Sequence, residues 1–259
     1  MRKLRITRSL VPNLLTLVNL FSGFAAIVYA SQNQFERAAL FILVAAIFDM
    51  LDGFTARLIN AASEFGAELD SLCDVVSFGV APSFILYQSY FYQFNELGIL
   101  VSSFPALAGA SRLARFNAQL SSLEDKKYFT GLPIPSGALT ILSYLIFYHG
   151  LIIKDEPQLS IMIFSVTIIT SLVMVSTIKF NNLPRPNMQY LKENPAFSIL
   201  TIIGLIASII SQGKAVFVVM MVYIVFSAIR HLFILYNLSK LEDDDLELEE
   251  TEDIDSIEN

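Results

Sequence analysis

The chain has 259 residues, of which 54% are apolar and only 16% charged, and its mean hydropathy of +0.59 is far above that of a water-soluble domain. That balance excludes a soluble globular enzyme and a nucleic-acid-binding module, and it points to an all-α polytopic membrane protein. The formal net charge of −7 misleads, because eleven of the 24 acids fall between Leu241 and Asn259 and the remainder of the chain is net basic.

Apolar stretches of about 20 residues, the length that crosses a bilayer as a helix, occur about eight times: 9–30, 36–58, 69–91, 96–118, 133–152, 159–179, 195–212 and 215–236. The first follows MRKLRITR, which looks like the start of a signal peptide. It is too long for one, lacks an A-x-A-like cleavage site and precedes further spans, so it reads as a retained helix. Eight spans put both termini on one side. Counted that way, fourteen of the 17 basic residues lie on the side of the termini, and only Arg37, Lys154 and Lys214 lie opposite. Cytoplasmic loops collect Lys and Arg, so both termini are expected in the cytoplasm and the protein in the cell (inner) membrane. Residues 1–240 form one membrane-embedded domain on this reading, and 241–259 an acidic, disordered cytoplasmic tail.

The second and third stretches carry four aspartates, Asp49, Asp52, Asp70 and Asp74, with Arg57 the obvious internal counter-charge. A carboxylate costs several kcal/mol in hydrocarbon, so ionisable residues at that depth face a cavity, a partner or a metal. Asp49 and Asp52 are three apart and Asp70 and Asp74 four apart, so each pair shares a helix face. Consecutive helices joined by a short segment pack antiparallel, and all four acids are expected to converge near the cytoplasmic surface. Oxygen ligands without Cys or His select Mg²⁺, Mn²⁺ or Ca²⁺, and four carboxylates suffice for two ions sharing a ligand. The single cysteine, Cys73, excludes an internal disulfide and a cysteine-based metal cluster, and reads as a small packing residue. A salt-bridge network and a divalent-cation transport path are the rival readings of the acids.

Asp49, Asp52, Gly53, Ala56, Arg57, Gly66, Asp70 and Asp74 fit D-x2-D-G-x2-A-R-x8-G-x3-D-x3-D at every position. That pattern resembles the signature of the CDP-alcohol phosphatidyltransferases. Flanking stretches, VPNLLTLVNLFSGF, SEFGAELDSLCDVVSFGVAPS, SRLARFN and FTGLPIPSGA, resemble the branch whose acceptor alcohol is L-serine, and the likeness covers residues 9 to 140. It implies a six-helix core, a homodimer, a divalent-metal site open to the cytoplasm, and transfer of a phosphatidyl group from CDP-diacylglycerol to serine with release of CMP. Siblings that use glycerol 3-phosphate, inositol phosphate or choline are the alternative.

On the same resemblance Asp49, Asp52 and Asp70 hold the metal, Mg²⁺ or Mn²⁺ and two ions, while Asp74 combines metal contact with the role of general base. Gly53, Arg57 and Ser63 match positions that contact the cytidine diphosphate, and Asn13 and Thr16 match the first-helix position lining that site. Asn13, following Pro12, is equally suited to capping its helix. Arg112 and Arg115, three apart, can present two cations to the carboxylate of serine or can anchor the helix at the membrane surface. Lys126 and Lys127 read as headgroup contacts, Arg185 as a second candidate for the serine carboxylate, and Glu64 and Glu68 as loop acids within reach of its ammonium group. His149 and His231 read as interfacial packing.

Overall fold

A computed structural model describes residues 9–59, 63–120, 128–149, 157–181, 195–234 and 236. Each of the eight apolar stretches is helical over most of its described residues. The first two, α1 (Leu10–Ser31) and α2 (Phe35–Leu58), form the most extensive helix pair, closed by a turn in which Asn33 takes a φ of 59°. Next come α3 (Glu64–Asp74), a π-helical stretch over Val75–Val80 and α4 (Ala81–Ser89), which together make one span of 26 residues. A single 3₁₀ turn, Phe91–Phe94, leads into α5 (Asn95–Leu120). Then follow α6 (Ile134–Phe147), α7 (Pro157–Val175), α8 (Pro195–Ile210) and α9 (Ala215–Ile234).

The fold is thus all-α and polytopic, with one correction to the expected spans. Among the described residues, five helices are long and apolar enough to cross a membrane, and the apolar parts of α6, α7 and α8 are described over Ile134–Phe147, Ile161–Val175 and Thr201–Ile210. The third span begins at Glu64 rather than 69, because the Ser63 hydroxyl accepts a hydrogen bond from the Gly66 amide (3.1 Å) and caps the helix there. Glu64 and Glu68 therefore project from exposed helical turns and not from a loop. A window tuned to apolar runs passes over such an acidic first turn. A short antiparallel ribbon, β1 (Tyr128–Thr130) against β2 (Lys179–Asn181), ties the start of α6 to the end of α7, with Phe129 opposite Phe180. Its three-residue strands are too short to show a period of two.

Side-chain size is arranged as a bilayer demands. The buried face of α1 is small and polar (Pro12, Thr16, Asn19, Ser22, Gly23, Ala26), while Leu14, Leu17, Phe21 and Phe24 point outward. In hydrocarbon, apolar bulk gains nothing by hiding, so small residues are placed where helices must approach closely. Gly23 is the sharpest case: a Cβ there would overlap Ser77 in the π-helical stretch and come within 2.7 Å of its Cα. The wide π turn brings the Ser77 hydroxyl onto the Asn19 carbonyl of α1 at 3.0 Å. At the opposite end of α6 from the ribbon, His149 lies buried edge-on to Tyr90, with ring centroids 4.5 Å apart, so it packs in an aromatic cluster with Phe91 and Phe164. His231 remains partly exposed near the end of α9.

Gly23→Val forces α1 away from Ser77 and is expected to cost about 1–3 kcal/mol, the usual range for overpacking. Gly53→Ala meets only the end of Arg57, 3.8 Å away, and is expected to leave stability unchanged or slightly raised. Thermal unfolding of both variants in the same detergent checks the contrast.

Candidate active site

The acids meet between the second half of α2 and the second half of α3. Asp49 of α2 joins Asp70 and Asp74 of α3, and one carboxylate oxygen from each lies within 4.8 Å of the other two. The half-buried pair Asp49 and Asp70 faces the buried Asp74. Asp52 lies beside this trio and outside it: it is 5% exposed, sits against Thr16 of α1 and remains within electrostatic reach of Asp49 and Asp70. The structure therefore gathers three of the four acids tightly and keeps the fourth adjacent.

Hydrogen bonding satisfies these carboxylates only in part. Asp52 Oδ2 and Asp70 Oδ1 are buried and find no donor among the described residues. A buried, unpartnered carboxylate oxygen carries a full desolvation penalty. Converging oxygens with open lone pairs and no ligating His are the donor set of a hard divalent cation, so the cluster fits a metal ion. Arg57, on the same face of α2, folds back over Gly53, with its guanidinium nitrogens 3.8 and 3.9 Å from where a Cβ would stand. It keeps its head exposed while attracting Asp52. A residue bulkier than alanine at 53 would compete with Arg57 for this position.

The first helix supplies a polar wall. Thr16 donates to the Pro12 carbonyl (3.1 Å), which fixes its hydroxyl against Asp52. Asn13 is not a helix cap: α1 starts at Leu10, the Asn13 amide already donates to the Ser9 carbonyl, and its side-chain oxygen lies 3.3 Å from where a Gly66 Cβ would stand, next to the Ser63 hydroxyl. Asn13, Ser63 and Gly66 thus form one small polar corner beside the acids.

Asn19 is a member of the site that the sequence reading passed over. It is fully buried, and its Nδ2 donates to Asp74 Oδ1 at 3.0 Å. Its own carbonyl is held by Ser77, so α1, α3 and the π turn together hold one oxygen of Asp74. Its position one turn beyond Thr16 on the buried face was the available signal. On the far wall, α5 separates the two arginines expected to act together. Arg112 is 6% exposed and within electrostatic reach of Asp74. Arg115 instead donates to the carbonyls of Val175 (2.7 Å), Ser176 (3.1 Å) and Thr130 (3.2 Å). Two residues on, Asn117 pairs with Ser71 of α3 at 3.0 Å. Lys126, Lys127, Arg185 and the acidic tail lie outside the described residues.

A family model described as CDP-alcohol phosphatidyltransferase matches residues 9–178. Among known proteins, the chain is 37% identical over 232 residues to a CDP-diacylglycerol–serine O-phosphatidyltransferase of Helicobacter pylori, covering 88% of this chain and 94% of that one. It is 32% identical over 222 residues to the protein of the same name from Methanocaldococcus jannaschii, covering 86% and 94%. It is 34% identical over 170 residues to that of Bacillus subtilis, covering 66% and 89%.

Asn19→Ala releases Asp74 without removing a carboxylate. The rate of CMP release is expected to fall about 10–100-fold, the usual consequence of removing a residue that orients a ligating group, with the thermal melting profile little changed. Steady-state kinetics beside a melting curve on the same preparation measures both.

Proposed function

The chain belongs to the CDP-alcohol phosphatidyltransferase family, and we propose that it transfers the phosphatidyl group of CDP-diacylglycerol to the hydroxyl of L-serine, forming phosphatidylserine and CMP. The observation that carries the reading is the meeting of Asp49, Asp70 and Asp74 at one point, with Asp74 held by Asn19 and faced by Arg112. The names of the relatives, which extend over most of their lengths, support serine as the acceptor.

Asp49, Asp52, Asp70 and Asp74 would hold divalent cations, Mg²⁺ or Mn²⁺ and two in number, which when bound neutralise the diphosphate and the departing CMP. Arg57, reaching over Gly53, grips phosphate with a planar pair of donors. Asn13, Thr16 and Ser63 line the cytidine. Asp74 takes the proton of the serine hydroxyl as that oxygen attacks the phosphorus bearing diacylglycerol. The bond from this phosphorus to the bridging oxygen breaks, and CMP leaves. Asn19 keeps one Asp74 oxygen occupied, so the other is aimed at the incoming hydroxyl. Arg112, buried and cationic on the opposite wall, receives the serine carboxylate. Arg115, whose guanidinium is taken up by three backbone carbonyls, supports that wall.

The protein works as a homodimer in the cell membrane, surrounded by lipid, with both termini and the site toward the cytoplasm. The asymmetry of Lys and Arg between the two sides supports that orientation. Residues 1–240 carry the catalysis and residues 241–259 are dispensable to it.

CMP release from CDP-diacylglycerol by the purified protein is expected with serine and not with glycerol 3-phosphate or inositol phosphate, and EDTA should abolish it. Robust release with one of the other acceptors would overturn the assignment. Asp74→Asn keeps an oxygen ligand and loses the base, so turnover should drop at least about 10²-fold while metal-dependent binding of the donor persists. Asp49→Asn should lose both, as calorimetry with and without Mn²⁺ would read. Truncation after Lys240 should keep the rate within about tenfold, equivalent to roughly 1.4 kcal/mol in the barrier.

A further inference from the structure

β1 and β2 form a ribbon of two strands, so each strand is an edge, and the carbonyls that face away from the partner strand need donors from elsewhere. Thr130 and Lys179 stand opposite each other in the register, and arginines from two different helices take their carbonyls. Arg115 of α5 donates to the Thr130 carbonyl at 3.2 Å, and Arg230 of α9 donates to the Lys179 carbonyl at 2.9 Å. A hydrogen-bonded line therefore runs from α9 across the ribbon to α5, where Arg115 stands three residues from Arg112.

The α9 end of this line is shaped for the contact. Tyr223, Ser227 and Arg230 are four and three residues apart, so they fall on one stripe of the helix. Ser227 is 2% exposed, while Ile229, Leu232 and Phe233 off that stripe are exposed. Phe180, the fully buried middle residue of β2, meets the Tyr223 ring at a centroid distance of 5.5 Å. An arginine near the end of an apolar helix can turn its head to water. Here one of its nitrogens is given to the ribbon instead. Both Arg230 and its acceptor lie beyond residues 9–178, the part of the chain that the family model matches.

Resting on the function proposed above, we propose that Arg230 is a positioning residue for the serine site: through the ribbon and Arg115 it fixes the stretch of α5 that presents Arg112 to the serine carboxylate. It touches no substrate. The direction of its effect follows from where the line runs. The aspartates and the polar corner beside them are carried by α1, α2 and α3, which the line does not cross, whereas Arg112 shares α5 with Arg115. Loosening the ribbon therefore weakens the hold on serine and spares the hold on the donor.

The test is steady-state CMP release by the full-length protein, with serine and CDP-diacylglycerol varied separately. Arg230→Met keeps the apolar stem and removes the donor. Its serine KM should rise about threefold to tenfold, the size of a coupling carried through packed contacts, with kcat and the donor KM within about twofold of the unmodified protein. Lys179→Ala removes a neighbouring cation and keeps the carbonyl, so all three parameters should stay as they are. Phe180→Leu loosens the second contact of α9 with the ribbon and should raise serine KM about twofold or more. It is the variant to read if Arg230→Met does not fold. Combined with Arg115→Lys, Arg230→Met should add little, because both break one line. An unchanged serine KM in folded Arg230→Met or Phe180→Leu would overturn the proposal. So would a matching rise in donor KM or fall in kcat, an equal effect of Lys179→Ala, or effects of Arg230→Met and Arg115→Lys that multiply. Failure of the unmodified protein to release CMP with serine would show instead that the function proposed above is wrong.

Discussion

Ionised carboxylates in a low-dielectric slab are the constraint to which the rest of the molecule answers. Each acid is costly at that depth unless it is solvated, paired or bound to a cation. This chain places Asp49, Asp70 and Asp74 within 4.8 Å of one another, with Asp52 alongside, and provides few donors among the described residues to relieve them. The energetic gap that remains is one that a divalent ion closes. Stability given up in the protein alone reappears as affinity for the ion, so the site is costly for the same reason that it binds.

The scaffold around the acids follows from that demand. Asn19 needs full burial to hold Asp74 in a dry environment, and full burial of an amide on a spanning helix needs a neighbour close enough to exclude lipid. Gly23 and the π turn at Val75–Val80 provide that approach by letting Ser77 close onto α1. Extra turns of this kind recur at functional sites, because one added residue re-aims the side chains around it. Here the stretch begins directly after Asp74. Arg112 is buried within electrostatic reach of Asp74, and its burial is tolerable because of the acid.

The spans and the acid cluster were legible in the sequence because both depend on local rules. Hydropathy over about 20 residues marks helices, and spacings of three and four put Asp49 with Asp52 and Asp70 with Asp74 on shared faces. What could not be read depended on distant neighbours. Asn19 looks no different from any other polar residue of a spanning helix until Asp74, 55 residues later, is packed against it. Arg112 and Arg115 are equivalent by spacing, and only the carbonyls at the end of α7 and at Thr130 separate the buried cation from the structural one. The early start of α3 was hidden because Ser63 and Glu64 carry a capping signal that a search for apolar runs treats as the end of a segment.

The clasp of Arg115 sets an order on biogenesis. Its guanidinium joins α5 to the carbonyls of Val175 and Ser176, and Gly131 leaves room for it: a Cβ there would stand 2.9 Å from the Arg115 head and collide with the Met174 carbonyl. During synthesis every acid of the cluster has entered the membrane once residue 74 is in place, yet α5 cannot be fixed until about a hundred further residues have been inserted. Until then the acids stand on an open half-bundle, with Arg112 unanchored. A nascent chain that stalls before α7 is a membrane-resident fragment with a formed charge cluster and no closed pocket.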